Sequence, residues 1–104
     1  MGRPLVRAYQ GQGHGGFRGQ PKSVAERLQN RCEVLEVAPG PGFFVIELAK
    51  LGAFRITRLD ISRTFVEIAR ANAQQAGAKI DFRLGNVSTM PLADQWFEFV
   101  LRGL

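Results

Sequence analysis

Apolar positions along this chain change their period several times, and each change marks an element. Val34-Leu35-Glu36-Val37 is a short apolar run carrying one acid, and it reads as a buried strand. Ala38-Pro39-Gly40-Pro41-Gly42 breaks it, and Phe43 to Lys50 then reads as a helix. Ile56-Thr57-Arg58-Leu59-Asp60 is a second strand ending in an acid. Ser62 is placed to cap a helix running to about Ala76, with Gly77 as its stop. The spacing puts Phe65, Ile68, Ala69, Asn72, Ala73 and Ala76 on its inward face. Ile80 to Leu84 alternates apolar and polar as a third strand, and Phe97 to Leu101 is a fourth. Before all of these, Pro21 to Gln29 reads as a short helix with Val24, Ala25 and Leu28 facing inward.

The chemistry gathers where the first strand meets the glycine turn. Glycines let a ligand approach backbone that a Cβ would shield, and the N–H groups of a helix start are left unpaired. Glu36 adds acceptor oxygens for hydroxyl or amino groups. A strand, a glycine turn and a helix start in that order make a nucleotide-type site in the first half of a Rossmann-like fold. The glycine spacing narrows the ligand. The dinucleotide fingerprint G-x-G-x-x-G needs a third glycine, which would fall on Val45 or, one register earlier, on Phe43. Neither register works, which disfavours a nicotinamide-dependent enzyme. What fits is acidic-x-small-x-Gly-x-Gly, in Glu36, Ala38, Gly40 and Gly42.

In this the chain resembles the class I S-adenosylmethionine-dependent methyltransferases, whose first motif has that form. Asp60 lies 18 positions beyond Gly42, close to the spacing of roughly 20 at which an acid meets a ribose. Gly85-Asn86-Val87 is similar to the family's third motif, and residues 33–101 follow the order of its cofactor-binding half. The resemblance implies that S-adenosyl-L-methionine is the cofactor. It places Glu36 and the Ala38–Gly42 turn at the amino-acid end, Asp60 at the ribose, Ile61 against the adenine, and Asn86 and Val87 along the adenine edge. It implies methyl transfer to an acceptor that the sequence does not identify, with no visible catalytic base, and places Arg102 at the start of an acceptor-facing loop. The fold it implies is a three-layer α/β sandwich with a partial parallel sheet in the order 3-2-1-4, lacking the C-terminal strands. Its fourth strand would be an exposed edge, open to self-association.

Several positions depart from the family's pattern. Ala38 replaces the first glycine, Asn86 stands where Asp is common, and Glu98 replaces an Asp. Arg58 stands where a small residue is frequent, and nothing in the sequence accounts for it. The sequence stops at Leu104, just past the fourth strand, so the expected domain over 21–104 is truncated. A non-catalytic S-adenosylmethionine-binding module, completed by a partner, is therefore the alternative to an enzyme.

Composition changes this picture little. Arg3, Arg7, Arg18 and Lys22 provide most of the net charge of +5, leaving ten basic and nine acidic residues after them. Without a basic face in the folded part, nucleic acid is not the expected partner. Residues 1–20 are glycine- and glutamine-rich and are expected to be a flexible tail. His14 has no companion ligand, and the single cysteine, Cys32, offers neither a disulfide nor a metal cluster. No run reaches the roughly 18 apolar residues of a membrane span, and the N-terminus lacks a signal-peptide core. A cytoplasmic protein is expected.

Overall fold

The computed structural model describes residues 10–12, 20–37, 39–86, 97 and 99–102. Five strands and three helices alternate along it: β1 (Gln10–Gln12), α1 (Pro21–Ala25), β2 (Glu33–Val37), α2 (Phe43–Ala49), β3 (Arg55–Asp60), α3 (Arg63–Ala76), β4 (Asp81–Leu84) and β5 (Phe99–Arg102). All strand pairs are parallel, in the order β1-β5-β2-β3-β4. The four strands expected from the sequence thus take the order 3-2-1-4, as β4-β3-β2-β5. This is a Rossmann-like α/β sheet.

Alternation along the strands divides the core in two. On one face Val34, Ile56 and Leu101 meet Val24 of α1 and Val45 and Leu48 of α2, with Ala25 and Leu28 packed at the margin. On the other face Leu35, Leu59, Phe97 and Val100 form a second cluster with Val37 beside it. β3 is buried from Ile56 to Asp60, paired with β2 on one side and β4 on the other. The described helices provide one outer layer, α1 packing on α2 and α2 on α3.

α3 is delimited as its sequence directs. Ser62 Oγ accepts the Phe65 N–H at 3.2 Å, and Gly77 closes the helix at φ 72 in the left-handed region. Its inward stripe differs from the expected one. Val66, Ala69 and Ala73 are buried, whereas Phe65 and Ile68 are 36% and 41% exposed. The reason is close approach: a Cβ on Gly42 would stand 2.9 Å from Ala69 Cβ. Only a small side chain fits at that distance, so the helix sets Ala69 against the turn, with Val66 and Ala73 buried beside it and Phe65 and Ile68 turned outward. α1 is also shorter than expected, ending at Ala25 and continuing as tight turns in which Arg27 and Leu28 N–H groups bond to Val24 and Ala25 carbonyls.

The edge of the sheet corrects a further expectation. β5 does not stand bare, because Gln10, Gly11 and Gln12 pair with Val100, Leu101 and Arg102. A segment read as flexible tail supplies a strand, and Arg102, expected in an acceptor-facing loop, lies inside β5 opposite Val37. The composition of residues 10–12 hides this, since their pairing uses backbone groups. The opposite edge is β4, four residues long with an Asp81–Arg83 ion pair at 2.8 Å, a short and charged edge that discourages further pairing.

Candidate functional site

The chain order of the strands creates a switch point. From β2 the chain steps outward through β3 and β4, then returns to place β5 on the other side of β2. Ligands of open α/β sheets sit at the carboxyl ends of the strands at such a point. The glycine turn occupies it, directly after β2. Gly40 has φ 132 and Gly42 φ 84, backbone angles that side chains rarely tolerate. Gly42 is also the N-cap of α2, so the turn delivers the chain straight into a helix start whose first N–H groups have no helical partner.

Three charged residues lie beneath this turn. Parallel pairing sets Glu36 opposite Arg58, and Asp60 follows two positions later on the same face. Arg58 Nε donates to Glu36 Oε1 at 2.6 Å, and Nη1 donates to Asp60 Oδ2 at 3.4 Å. The side chains of Glu36, Arg58 and Asp60 are 9%, 3% and 1% exposed. Arg58, unexplained by the sequence, is therefore the internal counter-ion of both site carboxylates. Two acids buried side by side would repel, and an unpaired buried charge is costly. Burial drives the Glu36 carboxyl above its ordinary value of 4.5, while Arg58 pulls it down and Asp60 adds to the rise.

Asp60 also builds the turn. Its Oδ2 accepts the Gly40 N–H at 3.2 Å and its Oδ1 accepts the Ser62 N–H at 2.9 Å, tying the end of β3 to the turn and to the α3 cap. Asn72 of α3 donates from Nδ2 to the Pro41 carbonyl at 3.1 Å. Its place on the helix was legible in the sequence, but its hold on a turn 31 residues away was not.

The remaining expected residues are distributed around this centre. Ile61 follows Asp60 and is 71% exposed, and Phe43, the first residue of α2, is 62% exposed. Both leave apolar side chains beside the turn. Gly85 N–H donates to the Asp60 carbonyl at 2.8 Å, which brings the end of β4, and Asn86 with it, next to the end of β3. Asn86 is exposed. Ala38 and Val87 lie outside the described residues. The structure thus brings Glu36, Gly40, Gly42, Asp60, Ile61 and Asn86 to one end of the sheet. It engages the two acids from within, where the sequence left them facing a ligand.

Comparison with known proteins bears on the family of the chain. Residues 34–103 match the family profile described as methyltransferase domain. The chain is 32% identical over 69 residues to a ribosomal protein L11 methyltransferase of Dictyoglomus thermophilum, covering 66% of this chain and 23% of that protein. It is 31% identical over 84 residues to a ubiquinone biosynthesis O-methyltransferase of Methylocella silvestris, covering 80% of this chain and 32% of the relative. Among solved structures, the 4+2 cyclase SpnF superposes with a TM-score of 0.62 at 29% identity, covering 68% of this chain and 28% of that one. A methyltransferase from Thiobacillus denitrificans in complex with S-adenosyl-L-homocysteine gives 0.53 at 28% identity, covering 60% and 26%. The chain spans a third or less of the length of each. A parallel sheet in the order 3-2-1-4, a glycine turn at its switch point and a profile match over two thirds of the sequence place this chain in the methyltransferase domain family.

Proposed function

We propose that this chain is the S-adenosylmethionine-binding portion of a methyltransferase. The observation that carries the reading is the turn from Pro39 to Gly42 at the switch point of the sheet, with two acids at the ends of the neighbouring strands. The backbone suits the ligand: both glycines are in angles that exclude most side chains, and the α2 start offers unpaired N–H groups. Glu36 and the turn would hold the amino-acid end of the cofactor, Asp60 its ribose hydroxyls, Ile61 the flat face of the adenine, and Asn86 with Val87 its edge. Support for the cofactor comes also from the Thiobacillus denitrificans relative, solved with the demethylated product.

When bound, the cofactor supplies a methyl group already activated by its sulfonium charge. The chain's contribution is to hold and orient that group, and alignment of donor and acceptor is itself a large part of catalysis. No residue is assigned as a base, and the acceptor is left open, because the similar proteins named above differ in what their names say they act on. The alternative reading keeps the same site in a non-catalytic module completed by a partner. We assign the protein to the cytoplasm, a reducing compartment that suits a lone buried thiol at Cys32.

Calorimetric titration with S-adenosylhomocysteine, on a chain shown to be folded by circular dichroism, tests the reading. Binding at one site per chain is expected. Ile61→Ala should leave folding intact, since the side chain is exposed, and should weaken binding by roughly tenfold through lost apolar contact. A folded chain that ignores the ligand overturns the proposal.

A further inference from the structure

Arg58 has no counterpart in the cofactor roles just described, yet it occupies their centre. Beyond its bonds to Glu36 and Asp60, its guanidinium lies directly under the turn. A Cβ on Gly40 would stand 3.8 Å from Nη2, and one on Gly42 would stand 3.9 Å from Cζ. The arginine therefore fills the space between the strand ends and the turn, the space that a glycine at position 58 would leave to water or ligand.

Both carboxylates are correspondingly engaged from within the fold. Asp60 Oδ1 receives the Ser62 N–H, and Oδ2 receives both the Gly40 N–H and Arg58 Nη1. Glu36 Oε1 receives Arg58 Nε at 2.6 Å. A ribose hydroxyl or an ammonium group would need these same oxygens. Only 1% of the Asp60 side chain is exposed, and a ligand reaching Oδ2 competes with two internal donors. The weaker link is the one to Asp60: at 3.4 Å it is long for a charge-assisted bond, whereas the Glu36 bond is short. Charge points the same way. Two carboxylates and one guanidinium sum to −1 when all are ionised, and without Arg58 the sum is −2. S-adenosylmethionine carries a sulfonium, an ammonium and a carboxylate, a net +1; the demethylated product carries a net charge of zero.

We propose that Arg58 is an internal ligand of the site, holding the carboxylates against the cofactor and so setting both its affinity and the preference between its methylated and demethylated forms. The proposal rests on the cofactor reading above. Binding exchanges the Arg58–Asp60 bond for bonds from the ligand, and the remaining cation lowers the site's attraction for the sulfonium.

Titration of the unaltered chain, Arg58→Gly and Arg58→Lys with S-adenosylmethionine and S-adenosylhomocysteine separately tests this, with circular dichroism confirming each fold. Arg58→Gly should bind both ligands tighter, by about tenfold for one released charge-assisted hydrogen bond. The sulfonium form should gain more than the thioether form. A merely structural arginine predicts the reverse, weaker binding with both ligands affected alike. Arg58→Lys keeps a cation but cannot span two carboxylates as a planar fork does. It should give a smaller gain of the same sign, and it carries the test if Arg58→Gly does not fold. Binding by the unaltered chain with no gain in the folded variants overturns the proposal alone. No binding by any folded form overturns the cofactor reading on which it stands.

Discussion

Glu36 shows how one residue ties pH to stability in this fold. Its carboxyl is held above 4.5 by burial, so above that pH the folded chain retains a proton that the unfolded chain has released. Native protons in excess make stability fall as pH rises through this window. Urea midpoints should decline as pH is raised from 4.5 through the carboxyl's elevated folded value, and Glu36→Gln, which keeps an acceptor for Arg58 Nε, should flatten the decline. Gly42 has a second kind of importance. Gly42→Ala would put a methyl group 2.9 Å from Ala69 Cβ at φ 84, for an expected loss of about 1–3 kcal/mol in chemical denaturation from backbone strain alone. Adding Ala69→Gly should restore only the part due to the clash. The glycines and the acids were legible because their types and spacing are unusual in one short stretch. Arg58 was not, because its purpose depends on Glu36, 22 positions away, being its neighbour across a strand pair.

Elements follow the same division. α3 is readable from Ser62 to Gly77 because both of its ends carry side-chain or backbone signals of their own. Ser62→Ala should therefore cost about 1 kcal/mol in a denaturant series by removing the cap. Of the expected inward stripe of α3, Ala69, Asn72 and Ala73 face the core or the turn, while Phe65, Ile68 and Ala76 are exposed, since periodicity ranks residues by hydrophobicity and the packing ranks positions by how near the turn must come. β1 carries no signal at all. Its three residues are polar or glycine, and their place is decided by the unpaired backbone groups of β5. Deleting residues 1–12 should expose that edge, and the shortened chain should self-associate in analytical ultracentrifugation where the full chain does not. Equal sedimentation of the two would show that β1 does not protect the edge.

For the whole molecule, charge and topology make separate statements. Four of the basic residues stand within the first 22 positions, and the rest of the chain is almost neutral. Any RNA affinity should therefore reside in Arg3, Arg7, Arg18 and Lys22. Replacing these four by Gln should remove any protein-dependent rise in the fluorescence polarisation of a labelled RNA at about 0.15 M salt, and should leave cofactor titrations unchanged. None of the described helices is long and apolar enough to cross a membrane. Topology sets the site: the return from β4 to β5 makes the switch point, and the turn after β2 stands on it.

From sequence alone came the alternation of strands and helices, the glycine turn, the acids at two strand ends and the family resemblance. Each is a local property, carried by residue types within a few positions of one another. The tertiary structure alone decided that the acids face Arg58, that Asp60 pins Gly40 and Ser62, that Asn72 holds Pro41, and that residues 10–12 close an edge. These are contacts between segments far apart in the chain. They depend on strand register and helix placement, which no single segment specifies.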